Sequence, residues 1–355
     1  MLRCLQLARL GAGNVAPNPM VGAVLVHNNI IIGEGWHKQY GQAHAEVNCI
    51  NEAIEKGHRD KLNQSTLYVS LEPCAHFGKT PPCADLIIKH HIPKVVVGCR
   101  DPFEEVNGKG IEKMQAAGVL VDLVGGELEK ECITLNKRFF TYHTKRRPYV
   151  VLKWAQTGDG FIAPLDILPT ETSGDTVIKR LLISNEYSNR LVHKWRSEEA
   201  AILVGTNTAL RDDPLLTTRS WTGPSPIRLV LDMNLRLPAS LKLFNRETRT
   251  IVFNAVKNEE NENLLFYRIA KDTNIIQELL SALYKLRIQS VLVEGGAALL
   301  ESFITEGVWD EIRVITNEEL IINNGLKAPV IQSAEKIYSE KVLSDTIETY
   351  HPLKY

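Results

Sequence analysis

Short apolar runs alternate with helical patterns along most of the chain, which predicts an α/β protein. "VGAVLV" (21–26) and "IIIGEG" flank Asn28-Asn29, a pair that tolerates left-handed backbone, and so predict a hairpin. Val47, Ile50 and Ile54 fall at helical spacing, and Gly57 ends that helix. "STLYVSLEP" reads as a strand, "CADLIIKHH" as a helix opening at Cys83, and "KVVVGC" as a buried strand. A helix, "GIEKMQAAG", and a strand, "VLVDLV", follow. At the start, "MLRCLQLARLGAG" predicts a short amphipathic helix ending at Gly11. Arg3 and Arg9 interrupt its leucines, so it lacks a signal-peptide core.

The polar, basic stretch from His143 to Arg147 predicts a linker, and "PYVVLKWA" opens a new core. The boundary is expected near Thr144 to Pro148, giving domains of residues 1–145 and 146–355. In the second half "AAILVG", "PIRLVLD", "TRTIVFN", "SVLVEGG" and "EIRVIT" predict strands. "NEYSNRLVHKWRSE", "NIIQELLSALYKLR" and "GAALLESFITEG" predict helices. The halves share no repeat.

A length of 355 residues suits two domains with a core each. A net charge of -1, without a long Lys/Arg block, argues against a nucleic-acid partner gripped through its phosphates. It leaves room for a pocket that takes one phosphate. No apolar run reaches membrane-spanning length. Six cysteines are too sparse for a disulfide scaffold, which points to the cytoplasm, where paired cysteines bind metal or do chemistry. A homo-oligomer is compatible with all of this.

Chemistry concentrates in "HAE" (44–46) and "EPCAHFGKTPPC" (72–83). His44 and Glu46 lie at the start of one predicted helix, Cys74 follows a strand, and Cys83 opens the next helix. One His and two Cys would leave zinc an open position, as catalytic rather than structural sites do. Glu46 is a poor extra ligand there but is placed to shuttle protons. The order H-x-E then P-C is that of zinc deaminases, except that eight residues, not two, separate the cysteines. The competing readings are a pair of core thiols, or a structural zinc with His76 as fourth ligand. A second candidate is Glu294-Gly295-Gly296, between a buried strand and a helix, where a phosphate can approach backbone N–H groups. "GAGNVA" (11–16) fits a dinucleotide fingerprint on paper, but it follows a helix instead of a strand and is rejected.

"APNPMVGAVLV", "GEGWHKQYGQAHAE", "LYVSLEPCAHFGKTPPC" and "DPFEEVNGKG" together resemble the deaminase half of the bifunctional riboflavin-biosynthesis deaminase/reductase family. "RPYVVLKWAQTGDGFIA", "LVHKWRSEEAAILVGTNTALRDDPLLTTR", "PIRLVLD" and "VEGG" resemble its reductase half. The resemblance implies a cytidine-deaminase-like three-layer α/β/α domain followed by a dihydrofolate-reductase-like α/β domain. It implies Zn2+ on His44, Cys74 and Cys83, with Glu46 as general acid and base. Asn18, His37, His76, Lys79 and Asp101 match positions for the substrate, a phosphorylated pyrimidine. In the reductase half, which uses NADPH, Lys153, Ser184, Arg196, Leu216, Arg219 and Glu294 match substrate positions. Ala155, Leu182, Thr208, Asp212, Gly295 and Gly296 match cofactor positions. The two arginines would suit the substrate phosphate through bidentate contacts. The chain departs from the family in having Gly158 before Asp159-Gly160, Leu182 where Trp is frequent, and a longer segment over 164–180.

Overall fold

Asn28 and Asn29 both take up left-handed backbone, with φ of 47° and 63°, and close the hairpin between β1 (Gly22–His27) and β2 (Ile30–Trp36). The structure is a computed structural model that describes residues 1–77, 81–164, 181–271 and 273–353. It divides into two units, Met1–Arg147 and Pro148–Tyr355.

In the first unit the chain runs α1 (Leu2–Arg9), β1, β2, α2 (Ala45–Glu55), β3 (Thr66–Val69), α3 (Cys83–Lys89), β4 (Lys94–Val97), α4 (Lys109–Ala116), β5 (Leu120–Leu123), α5 (Gly126–Leu135) and α6 (Lys137–Lys145). The sheet order is β2-β1-β3-β4-β5, with β3, β4 and β5 parallel and the hairpin strands antiparallel. Alternation along β1 builds the layers. Ala23 and Leu25 join the core with Ala45, Cys49 and Ile50 of α2, while Val24 joins Cys4 and Leu7 of α1 on the other face. The unit is thus a three-layer α/β/α sandwich.

The expected linker is not one. Residues 143–145 complete α6, and left-handed Arg146 ends the helix. Phe139 and Tyr142 bury one face of α6, so its basic composition reflects only the outer face. Helix α5 escaped the sequence reading because only Cys132 is buried along it, too little for a clear period.

Gly35 decides how closely α2 approaches the sheet. A Cβ there would lie 2.3 Å from the Cys49 nitrogen and 2.4 Å from the Ala45 carbonyl oxygen, both backbone atoms of α2. Because α2 carries His44 and Glu46 at its start, Gly35→Ala should lower stability by about 1–3 kcal/mol and weaken metal binding too. Thermal denaturation and zinc stoichiometry on the same preparation check this.

The second unit is built on a ten-stranded sheet, with a separate two-stranded one. Its strands are β6 (Tyr149–Thr157), β7 (Phe161–Pro164), β8 (Ala201–Gly205), β9 (Ile227–Leu231), β10 (Thr250–Asn254), β11 (Glu259–Asn261), β12 (Leu264–Arg268), β13 (Ser290–Val293), β14 (Glu311–Asn317), β15 (Gly325–Lys327), β16 (Ala334–Val342) and β17 (Asp345–Pro352). The large sheet has the order β11-β12-β10-β9-β8-β13-β6-β14-β17-β16, and β7 pairs with β15. From β12 to β14 all neighbours are parallel, which requires crossovers. Helices α7 (Glu186–Glu198), α8 (Thr206–Asp212), α9 (Ile275–Lys285) and α10 (Ala297–Thr305) lie in the connections that lead into β8, β9, β13 and β14. Val150, Leu152 and Trp154 of β6 face one core with α9 and α10, and Tyr149 and Val151 face another.

Asn185 starts α7, accepting from the Tyr187 and Ser188 N–H groups at 3.0 Å each. Gly158 also has a physical reason. A Cβ there would lie 2.9 Å from the Glu318 carbonyl oxygen, so a larger residue would not fit against that segment. Most of the 164–180 segment lies outside the described residues.

Candidate active sites

His44 is the N-cap of α2, Cys83 is the first residue of α3, and Cys74 sits in the loop after β3. The folded sheet brings these three together. The His44 Nδ1 lies 3.7 Å from Cys74 Sγ and 3.4 Å from Cys83 Sγ, and all three donor atoms fall within 4.8 Å of one another. A tetrahedral zinc with one nitrogen and two sulfur ligands has ligand-to-ligand edges of about 3.5 Å, so the donor set fits that ion in type and spacing. No fourth His, Cys, Asp or Glu joins the cluster among the described residues. The Cys83 thiol and His44 both favour the Cys74 thiolate, whose pKa falls to about 4, while Cys83 is pushed up.

Glu46 follows in the first turn of α2, buried, and its burial raises its pKa to about 7. It is therefore a carboxyl that can hold or release a proton near neutral pH, beside the His44, Cys74 and Cys83 cluster without joining it. Asp101 is also buried, and burial raises its pKa to about 7, with the charges of Glu72 and Cys74 adding to the effect. The Asn18 amide lies 3.2 Å from His37 Nε2, and His37 Nδ1 lies 3.1 Å from the Ala43 carbonyl oxygen. An amide nitrogen can only donate and a carbonyl only accept, so His37 carries its proton on Nδ1. Burial lowers its pKa and keeps it neutral. Its ring meets the His44 ring edge-on, with centroids 5.3 Å apart. His76 Nδ1 is buried without a hydrogen-bond partner among the described residues. Lys79 lies outside the described residues.

The second site forms around Glu294, at the end of β13. Arg196 of α7 grips its carboxylate with both prongs, Nε to Oε1 at 2.9 Å and Nη2 to Oε2 at 2.7 Å. Burial alone would push Glu294 up, but Arg196 and Lys153 outweigh it and hold the carboxyl at about 2. The bidentate phosphate grip expected of Arg196 is therefore taken by Glu294; its remaining Nη1 donates to the Thr217 carbonyl at 3.3 Å. Arg219 donates from Nη1 to Thr217 Oγ1 at 3.2 Å, and its backbone N–H donates to His193 Nδ1. Ser184 donates to Asn189 Oδ1 at the start of α7. Leu216 is buried in a core cluster, and Leu182 is 71% exposed.

The Gly295-Gly296 turn behaves as its composition suggests. A Cβ on Gly295 would lie 2.8 Å from the Val204 Cα of β8, and Gly296 has a φ of 60°. Thr208 of α8 stands against it, with its hydroxyl 3.2 Å from where a Gly296 Cβ would be. Asp212 ends α8, and Ala155 lies on β6 beside Ile315 of β14. The sequence reading missed Glu72, Phe103 and His193, although each stands inside a motif that it quoted. Their residue types have common structural uses, so only contacts could single them out.

The family model of the cytidine and deoxycytidylate deaminase zinc-binding region matches residues 1–99, and that of the RibD C-terminal domain matches residues 148–319. The riboflavin biosynthesis protein RibD of Aquifex aeolicus is 41% identical over 96% of this chain and 94% of that protein. The chain belongs to the RibD family. It is a bifunctional deaminase/reductase of riboflavin biosynthesis, with zinc as cofactor of the first activity. RibD of Bacillus amyloliquefaciens is 38% identical over 96% of this chain and 89% of that one. The diaminohydroxyphosphoribosylaminopyrimidine deaminase/5-amino-6-(5-phosphoribosylamino)uracil reductase of Thermotoga maritima superposes with a TM-score of 0.83. It is 36% identical and covers 99% of this chain and 97% of its own. The match to the deaminase zinc-binding region thus precedes the match to the RibD C-terminal domain along the chain.

Proposed function

We propose that the first unit removes the ring amine of 2,5-diamino-6-(5-phosphoribosylamino)pyrimidin-4-one by hydrolysis, and that the second then reduces the ribosyl group of the product to ribityl. The observation that carries the first step is the meeting of His44, Cys74 and Cys83 beside a buried Glu46 that is not a ligand. His44, Cys74 and Cys83 would hold zinc, which supplies the Lewis acidity that makes water nucleophilic near neutral pH. Glu46 takes one proton from the water and gives it to the ring nitrogen, then takes the second from the added hydroxyl and gives it to the departing amine, which leaves as ammonia. Asn18 donates its amide to His37, which leaves its carbonyl oxygen to accept from the pyrimidine. His76 and Asp101 bind the ring edge, and Lys79 binds the phosphate.

In the reductase, NADPH supplies the hydride. Gly295, Gly296, Thr208, Asp212, Ala155 and Leu182 bind the cofactor, with the α10 N-terminus toward its phosphates. Arg196 fixes Glu294, whose carboxylate orients the ribose hydroxyls together with Lys153 and Ser184. Arg219, beside Leu216, is the cation for the substrate phosphate. Both steps belong to the cytoplasm in this reading, which the six free cysteines support, and no helix among the described residues is long and apolar enough to cross a membrane.

One incubation with the diamino substrate tests both steps and their order. Ammonia should appear without NADPH, and NADPH should be oxidised only once deaminated product is present. After zinc is removed with a chelator, ammonia release should stop, while deaminated compound supplied directly should still be reduced. NADPH oxidation by undeaminated substrate would overturn the order, and ammonia release by zinc-free protein would overturn the mechanism.

A further inference from the structure

Glu72 stands two residues before Cys74, buried to 4% exposure, and no cation pairs with it among the described residues. Its partners are backbone N–H groups on a distant segment. Oε2 accepts from Asp101 at 3.3 Å and Gly108 at 3.0 Å, and Oε1 accepts from Gly110 at 3.0 Å and Ile111 at 3.3 Å. Gly110 and Ile111 lie in the first turn of α4, where N–H groups lack helical partners and favour an anion. The approach is tight, since a Cβ on Gly110 would lie 1.9 Å from the Pro73 carbonyl oxygen. Residues 101–111 are thus hung on the residue that leads into the cysteine loop.

That segment carries Asp101 and Phe103. The Phe103 N–H donates to Asp101 Oδ1 at 2.8 Å, so the two residues are set together. The Phe103 ring meets the His76 ring edge-on, with centroids 6.2 Å apart. On its other side it packs on His143 of α6 at 4.8 Å, and His143 packs on Phe139 at 4.4 Å. Among the described residues the buried His76 Nδ1 has no hydrogen-bond partner, so the Phe103 ring is the side-chain contact seen to set it.

We infer that Glu72 and Phe103 are positioning residues of the deaminase. Glu72 fixes the 101–111 segment against the cysteine loop, and Phe103 fixes the His76 ring, so that Asp101 and His76 meet the diaminopyrimidine at a set spacing. The inference rests on the reading above, in which Asp101 and His76 bind that ring.

The test compares Glu72→Gln, Phe103→Leu and Phe103→Tyr in the full chain. Each is assayed for zinc per chain, for KM and kcat of ammonia release from the diamino substrate, for thermal unfolding as a folding control, and for reductase activity as a check on the second unit. Glu72→Gln turns one acceptor into a donor facing N–H groups, and Phe103→Leu removes the ring yet keeps every Glu72 hydrogen bond. Both should raise the deamination KM by about 10-fold or more, with zinc and reductase activity unchanged and kcat much less affected. Phe103→Tyr should keep the wild-type KM. An unchanged KM in Phe103→Leu, or a kcat loss in Glu72→Gln that tracks lost zinc, overturns the inference. If Glu72→Gln does not fold, the two Phe103 variants decide by themselves. Failure of the unaltered chain to release ammonia would strike the underlying reading instead.

Discussion

Glu46→Gln should abolish ammonia release while zinc stays bound and the reductase keeps working. The expected loss in kcat is about 10²–10⁴-fold, the usual share of a general acid and base. The substitution is nearly isosteric, so the burial of the side chain against α2 is kept. Zinc should stay because the donor set is complete in His44, Cys74 and Cys83. What disappears is a proton carrier, a carboxyl that burial has tuned to about 7 in the chain by itself. Ammonia release, metal analysis and NADPH oxidation on deaminated compound read the three parts separately. Substantial deamination by this variant would remove Glu46 from the proton path, and loss of zinc would mean that it holds the metal.

Arg196→Ala should cripple reduction and leave deamination intact. It strips Glu294 of a buried bidentate partner, and breaking such a pair costs about 3–5 kcal/mol. The second unit should therefore lose stability as well as activity, read by urea unfolding beside NADPH oxidation. Acid provides an independent sign. Glu294 has a folded pKa of about 2 against an ordinary 4.5, so the pair contributes stability above 4.5 that is lost as the pH falls toward 2. In Arg196→Ala burial is opposed mainly by Lys153, the folded pKa rises toward the ordinary value, and the share of the acid-induced loss that Glu294 supplies should shrink. Replacing Arg196 and Glu294 together by apolar residues should restore much of the stability without restoring reduction. Selective loss of deamination in Arg196→Ala would mean that the two sites have been assigned in reverse.

Much of this protein was legible without coordinates. Alternation along "VGAVLV", helical spacing over 47–54 and the Asn28-Asn29 turn each depend on neighbours within a few residues, so local pattern fixes them. The order H-x-E, P-C, C was equally open to view, because chemistry restricts which side chains can ligate zinc. The edge elements were not. The strand β16 is exposed along nearly its whole length and α5 buries only Cys132, so neither shows a period.

Side-chain partnership was closed to the sequence for a related reason. Arg196 reads by itself as a helix surface charge and, through the family resemblance, as a phosphate grip, and only the fold shows its fork spent on Glu294, ninety-eight residues away. Glu72 reads as one more acid in a loop, yet it anchors N–H groups up to thirty-nine residues away. The sequence by itself determined the alternating architecture and the candidate residues for metal and proton chemistry, since these follow from local pattern and from residue type. Only the tertiary structure decided which groups are buried together and what each polar atom bonds to, because those depend on sheet order and helix packing, which bring distant residues into contact.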